Sequence, residues 1–277
     1  MHPLFKDRPL WFQFILLALL LLCCTIITGY LILIMPAGTS PAKFTVGEIG
    51  QFLLPSLLFA SLVYVEPLKE GGFRAVSNPI FYLIAFLIAL AAIPLVQILA
   101  EWNAGLSVPT VMTKLEKVQD DAIAGELNMP SLPYMFQNLF VMALVPAVCE
   151  EAFFRGVMQK ILIRGTRSIL VGVLLTSIIF SAMHLQFLGF FSRVVLSIVL
   201  GYLCAYGGSL WPSILGHFVY NGSQVVYFYI QQHLNSAHPN PLFASNAHMP
   251  LSWGLTSTFL VVVGLLWMKR LKPATWP

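Results

Sequence analysis

The sequence is short of charge. Asp, Glu, Lys and Arg together make up 9% of its 277 residues, where a water-soluble domain carries about 25%, so there are too few ionic side chains to clothe a surface facing water. Cysteine is also scarce. Cys23, Cys24, Cys149 and Cys204 all lie within apolar runs, which gives no disulfide framework and says little about redox compartment. No glycine-rich loop of the phosphate-cradling kind is present, which argues against a nucleotide-driven pump. The chain has no internal repeat and no low-complexity tract. No small-x-small cleavage pattern follows the first apolar run, which is longer than a secretory signal core, so this run reads as a retained helix.

Apolar side chains are abundant instead, at 58% of the sequence, and they come in runs. A helix needs roughly 20 residues to cross the hydrocarbon layer. On that length the expectation is an all-α, polytopic membrane bundle of about eight spans: 10–35, 49–65, 79–100, 136–163, 168–186, 189–206, 210–231 and 251–268. The fifth and sixth are hard to separate. The whole chain, 1–277, reads as one integral membrane domain.

Basic residues test that count independently, because cytoplasmic loops are enriched in Lys and Arg. With eight spans and the N-terminus inside, Lys6, Arg8, Lys69, Arg74, Lys160, Arg164, Arg167, Lys269, Arg270 and Lys272 gather on one side, against Lys43, Lys114, Lys117 and Arg193 on the other. Both termini are therefore expected in the cytoplasm, with the plasma membrane as the location in a bacterial host. The net charge of +4 reflects this asymmetry, and no nucleic-acid partner is needed to explain it. One long polar insertion, 101–135, contains an amphipathic stretch from Val108 to Leu127. Its periodicity is helical, and it reads as a helix packed on the bundle or lying along the membrane surface, with a substrate-guiding flap as the alternative. His233, His238 and His248 sit in a Pro- and Asn-rich loop and read as solvated side chains rather than metal ligands.

The residues that need explaining are those placed at membrane depth, where charge is costly and marks function. Glu150, Glu151 and Arg155 lie inside the fourth apolar run; His184 ends the fifth; His217 and Asn221 lie in the seventh. On a helix Glu151 and Arg155 are four apart and suited to an ion pair, whereas Glu150 is rotated about 100° away. Glu151 is thus expected to neutralise Arg155, leaving Glu150 free to act as a base. His217 and Asn221, also four apart, share a helical face. Each feature alone has an ordinary reading as a hydrogen bond between helices. Lipid offers none of them a partner, so together they are expected to face one another inside the bundle. A carboxylate, two imidazoles and an amide in a water-poor pocket are the parts for adding water to a carbonyl.

These residues also form three ordered motifs. Glu150-Glu151-Ala152-Phe153-Phe154-Arg155 fits EExxxR, Phe180-Ser181-Ala182-Met183-His184 fits FxxxH, and His217-Phe218-Val219-Tyr220-Asn221 fits HxxxN. In this order on successive spans they resemble the CAAX protease and bacteriocin-processing (CPBP, or Abi) family of intramembrane endopeptidases, over a catalytic core of about 135–231. The resemblance implies an eight-helix bundle with a lipid-accessible cavity. It also implies Glu150 and His184 as activators of water, His217 and Asn221 as an oxyanion hole, and Glu151 and Arg155 as structural support of the site. The substrates it implies are prenylated CAAX proteins or, in a bacterial member, other lipidated or membrane-associated peptides. Members are often classed as metalloproteases. Glu150, His184 and His217 could hold a zinc ion, but the HExxH arrangement is absent, so the favoured expectation is no cofactor, with zinc as the alternative. Two other functional classes fit the intramembrane Glu and His: a proton-coupled transporter, though inverted repeats are absent, and a non-proteolytic membrane scaffold or chaperone.

Overall fold

The computed structural model describes residues 3–36, 38, 40–234 and 248–271. Nine helices organise them: α1 (Leu10–Ile34), α2 (Ser40–Val63), α3 (Ile80–Ala104), α4 (Thr110–Glu126), α5 (Leu132–Thr166), α6 (Ile169–Met183), α7 (Phe190–Gly207), α8 (Trp211–Leu234) and α9 (Leu251–Leu271). A single turn, Pro67–Glu70, lies between α2 and α3, and no strand occurs among the described residues. The protein is an all-α membrane bundle. Six helices are long and apolar enough to cross a bilayer unaided. Helix α6 is apolar but shorter, and α8 is long enough but diluted by Ser213, His217, Asn221, Ser223 and Gln224.

The expected spans correspond to eight of these helices, with one substantial difference. The second begins at Ser40 rather than 49, because Ser40–Glu48 continues directly through a π turn, Ile49–Leu53, into Leu54–Val63. The fifth and sixth spans are separated by a 184–189 turn in which Leu185 takes a left-handed φ of 54°. Lys272 and His238 lie outside the described residues.

Burial sorts the helices. Only 17% of the apolar window of α1 and 22% of that of α9 is buried, against 56% for α7, so α1 and α9 face lipid and α7 runs through the interior. Two apolar clusters fix the arrangement: Phe52, Phe59, Phe153, Phe154 and Phe180 join α2, α5 and α6, while Phe81, Ile88, Leu200, Leu203 and Val261 join α3, α7 and α9. Proline within a spanning helix frees backbone groups that lipid cannot satisfy. At Pro94 in α3 the gap is filled from α9: Leu95 N–H donates to Ser257 Oγ at 3.1 Å, and the Ser257 hydroxyl donates to the Ala91 carbonyl.

The connecting segments gather at two ends of the bundle. At one end Phe5 N–H bonds Leu62 O, Leu210 N–H bonds Gly72 O, and Lys160 Nζ donates to Glu70 O. At the other, Asn103 bridges Phe187 O and Phe191 N–H, Gln232 bonds Met129 N–H and Leu127 O, and Glu101 accepts from Met249 N–H. Helix α4 packs on the second end, where buried Glu116 accepts the Leu188 N–H at 3.2 Å. This is the packed loop helix expected of the 101–135 insertion.

Candidate active site

Helix α5 carries the paired glutamates between two π turns, Leu139–Leu144 and Phe154–Met158. Such turns widen the helix and often occur at functional sites. The first precedes Pro146, whose missing N–H leaves the Met142 carbonyl without its regular α-helical donor. Asn221 Nδ2 of α8 approaches that carbonyl at 3.5 Å. Residues 151–161 are buried without interruption, so α5 is enclosed on every side at the depth of the motif.

Arg155 is fully buried and held on several sides. Its guanidinium donates to Glu151 Oε1 at 2.7 Å, to Ser197 Oγ at 2.8 Å and to the Ser197 carbonyl at 3.1 Å, and its Cζ lies 4.9 Å from the centre of the Phe180 ring. Such a site compensates a buried cation through hydrogen bonds as well as charge. The ion pair expected between Glu151 and Arg155 is present, and Glu151 has a second contact that helical spacing did not indicate. Glu151 Oε1 also lies 3.1 Å from His217 Nδ1, because α8 packs against α5 at this level.

Both histidines turn the same nitrogen toward Glu150. His184 Nδ1 lies 2.7 Å from the Phe180 carbonyl, which can only accept, so this nitrogen carries the proton and Nε2 is left to face the site. His184 Nε2 is 3.8 Å from Glu150 Oε1, and His217 Nε2 is 4.0 Å from Glu150 Oε2. These separations exceed direct hydrogen bonds and are of the kind one water bridges. Glu150 Oε2 is buried with no hydrogen-bond partner. It therefore has acceptor capacity to spare.

A cavity of about 740 Å³ opens beside this cluster, and Glu150, His184, His217 and Asn221 all line it. The structure thus brings together the six residues expected from sequence, four on the cavity wall and Glu151 with Arg155 behind it. The two other described histidines stay apart. His233 bonds the carbonyls of Tyr229 and Pro130, and exposed His248 stands 3.7 Å from Glu101 Oε2. Among the described residues, no three His, Cys, Asp or Glu side chains are grouped closely enough to hold a metal ion as placed.

Three contributors were not foreseen. Ser197 is one of two serines in α7, and nothing in its spacing distinguishes it as the partner of Arg155. Phe180 was noted only as the first letter of FxxxH, yet its carbonyl fixes His184 and its ring covers Arg155. Glu48 lines the same cavity, and its Oε2 is buried without a partner. The signal for Glu48 was available: with the second span begun at Ser40, it becomes a carboxylate inside a membrane helix.

No curated protein and no solved structure matches the chain. The family described as Type II CAAX prenyl endopeptidase Rce1-like matches residues 132–223, a stretch that begins with α5 and runs two residues past Asn221. Rce1-like proteins are a protease family, and the segment of this integral membrane protein that holds the glutamates, both site histidines and the asparagine is Rce1-like.

Proposed function

We propose that the protein is an intramembrane endopeptidase that hydrolyses peptide bonds in prenylated CAAX-type or other membrane-associated peptides. The observation that carries this reading is Glu150, with one unpaired oxygen, flanked by His184 Nε2 at 3.8 Å and His217 Nε2 at 4.0 Å on the wall of a 740 Å³ cavity. A water between Glu150 and His184 donates one proton to the carboxylate and the other to His184 Nε2, which orients its lone pair toward the scissile carbonyl. Attack forms the C–O bond and places negative charge on the carbonyl oxygen. Glu150 then returns the proton to the departing amine as the C–N bond breaks.

His217 and Asn221 face the developing oxyanion. To donate from Nε2 while Nδ1 donates to Glu151, the His217 ring must carry both protons, and Glu151 supplies the counter-charge. This is the orienting and stabilising task that a buried carboxylate performs behind a catalytic histidine. Asn221 Nδ2, held by only a long contact to the Met142 carbonyl, is free to turn to a stronger acceptor. Glu151 and Arg155 support the site from behind.

Zinc is the alternative. Glu150, His184 and His217 would hold it, and the hydrogen bonds on both Nδ1 atoms are of the kind that orient metal-binding imidazoles. Zinc would supply a water acidified by coordination. The separations of 3.8 and 4.0 Å are wider than the roughly 3.4 Å that donors about 2.1 Å from a tetrahedral ion keep from one another. We favour direct activation by Glu150. Incubating the purified protein with a prenylated CAAX peptide in water enriched in oxygen-18 tests the function itself. One labelled oxygen in the new carboxylate of the shortened product is expected; an intact peptide, with the ligand bound and released unchanged, supports a scaffold instead.

A further inference from the structure

The cavity belongs to one end of the bundle. Besides the site residues, its wall is built by Ser40 and Lys43 from the start of α2, Ile123 of α4, Gln186 and Arg193 around the α6–α7 turn, and Gln224 farther along α8. All of these lie toward the end where Asn103, Glu116 and Gln232 tie the loops together.

The opposite end is closed. Beyond Glu151, the α5 side chains from Phe154 to Ile161 are all buried, and the 65–74 segment is fastened across them. Glu70 Oε1 accepts the N–H groups of Val65 and Glu66 at 2.9 Å, its carbonyl takes Lys160 Nζ, and Ser209 Oγ donates to Arg74 O at 2.6 Å. A methyl group on Gly156 would meet the Gly71 carbonyl at 2.7 Å, and Gly72 holds a φ of 101° that other residues rarely adopt. The chain here is pressed against the α5 backbone, with no room for a peptide to pass.

This closed end is also the basic one. It carries Lys6, Arg8, Lys69, Arg74, Lys160, Arg164, Arg167, Lys269 and Arg270, whereas the cavity end has Lys43, Lys114, Lys117 and Arg193. An excess of Lys and Arg in short flanking segments marks the cytoplasmic side. We propose that the catalytic cavity opens on the non-cytoplasmic side of the membrane, and that its substrate is a membrane-anchored peptide whose cleaved segment has crossed to that side. The substrate half of this proposal rests on the peptidase reading; the direction of opening does not. A lipidated protein retained on the cytoplasmic leaflet would meet the closed end.

The test uses the full-length protein in intact cells with a membrane-impermeant anionic maleimide. Variants Lys43→Cys and Gln224→Cys report on the cavity, exposed Lys69→Cys reports on the basic end, and the parent chain gives the background from its own four cysteines. Lys43→Cys and Gln224→Cys should react before permeabilisation and Lys69→Cys only after it. Modified Gln224→Cys should lose cleavage of a membrane-anchored reporter whose cut site faces outward. Reaction of Lys69→Cys in intact cells, or cavity cysteines that react only after permeabilisation, overturns the direction of opening. Efficient cleavage of an inward-facing reporter but not of the outward one overturns the substrate assignment. If no variant or parent cleaves either reporter, the peptidase reading fails and takes the substrate assignment with it, while the labelling order still decides the direction.

Discussion

Glu151 is the residue whose role changed most between sequence and structure. Helical spacing made it the partner of Arg155, and it is; its contact with His217 Nδ1 at 3.1 Å depends on how α8 packs, which spacing within one helix cannot reveal. Glu151→Gln therefore removes the counter-charge of a fully buried arginine and the orienting group of a histidine together. Breaking a buried pair costs about 3–5 kcal/mol, so thermal denaturation in detergent should show a large loss of stability, with cleavage reduced as well. Asn221 makes a different demand. Asn221→Ala should keep the wild-type melting temperature and lower kcat by about 10²–10³-fold, the usual loss for one oxyanion donor, with KM nearly unchanged. A loss confined to KM would place Asn221 in substrate binding instead.

At the scale of elements, the bundle was legible because hydrophobic runs and the bilayer thickness constrain one another. Boundaries were less so. Span two was placed at 49–65, starting just past Glu48, and this hid a carboxylate on the cavity wall. The two π turns of α5 were also invisible, since proline shows where a helix is disturbed but not how the disturbance is absorbed. Pro146 gives this a consequence. Pro146→Ala restores an N–H that competes with Asn221 for the Met142 carbonyl and removes the reason for the widened turn. Stability should be maintained or increase, whereas kcat should fall because the turn that sets Glu150 and Asn221 relaxes toward a regular helix. Unchanged kcat in this variant would show that the π turn before Pro146 does not position the site.

For the whole molecule, the ordered motifs picked out helices that the structure brings together, because lipid leaves intramembrane polar groups no partner except one another. The gaps they leave, 3.8 and 4.0 Å around Glu150, could be read only from packing. A zinc held there should be removable. The account expects cleavage to survive prolonged chelation and the purified protein to hold no stoichiometric zinc; chelator-sensitive, zinc-rescued cleavage with close to one metal per chain would move the same residues into a metal site.

The central claim is that Glu150, not its neighbour, is the group that takes a proton from water. Arg155 pairs with Glu151 rather than Glu150, and one Glu150 oxygen has no hydrogen-bond partner, so neutralising Glu150 should leave the scaffold intact. The most direct measurement pairs the initial rate of peptide cleavage with the melting temperature for Glu150→Gln. The account predicts a melting temperature equal to or above that of the parent and cleavage reduced to background; a folded Glu150→Gln protein that still cleaves would contradict it.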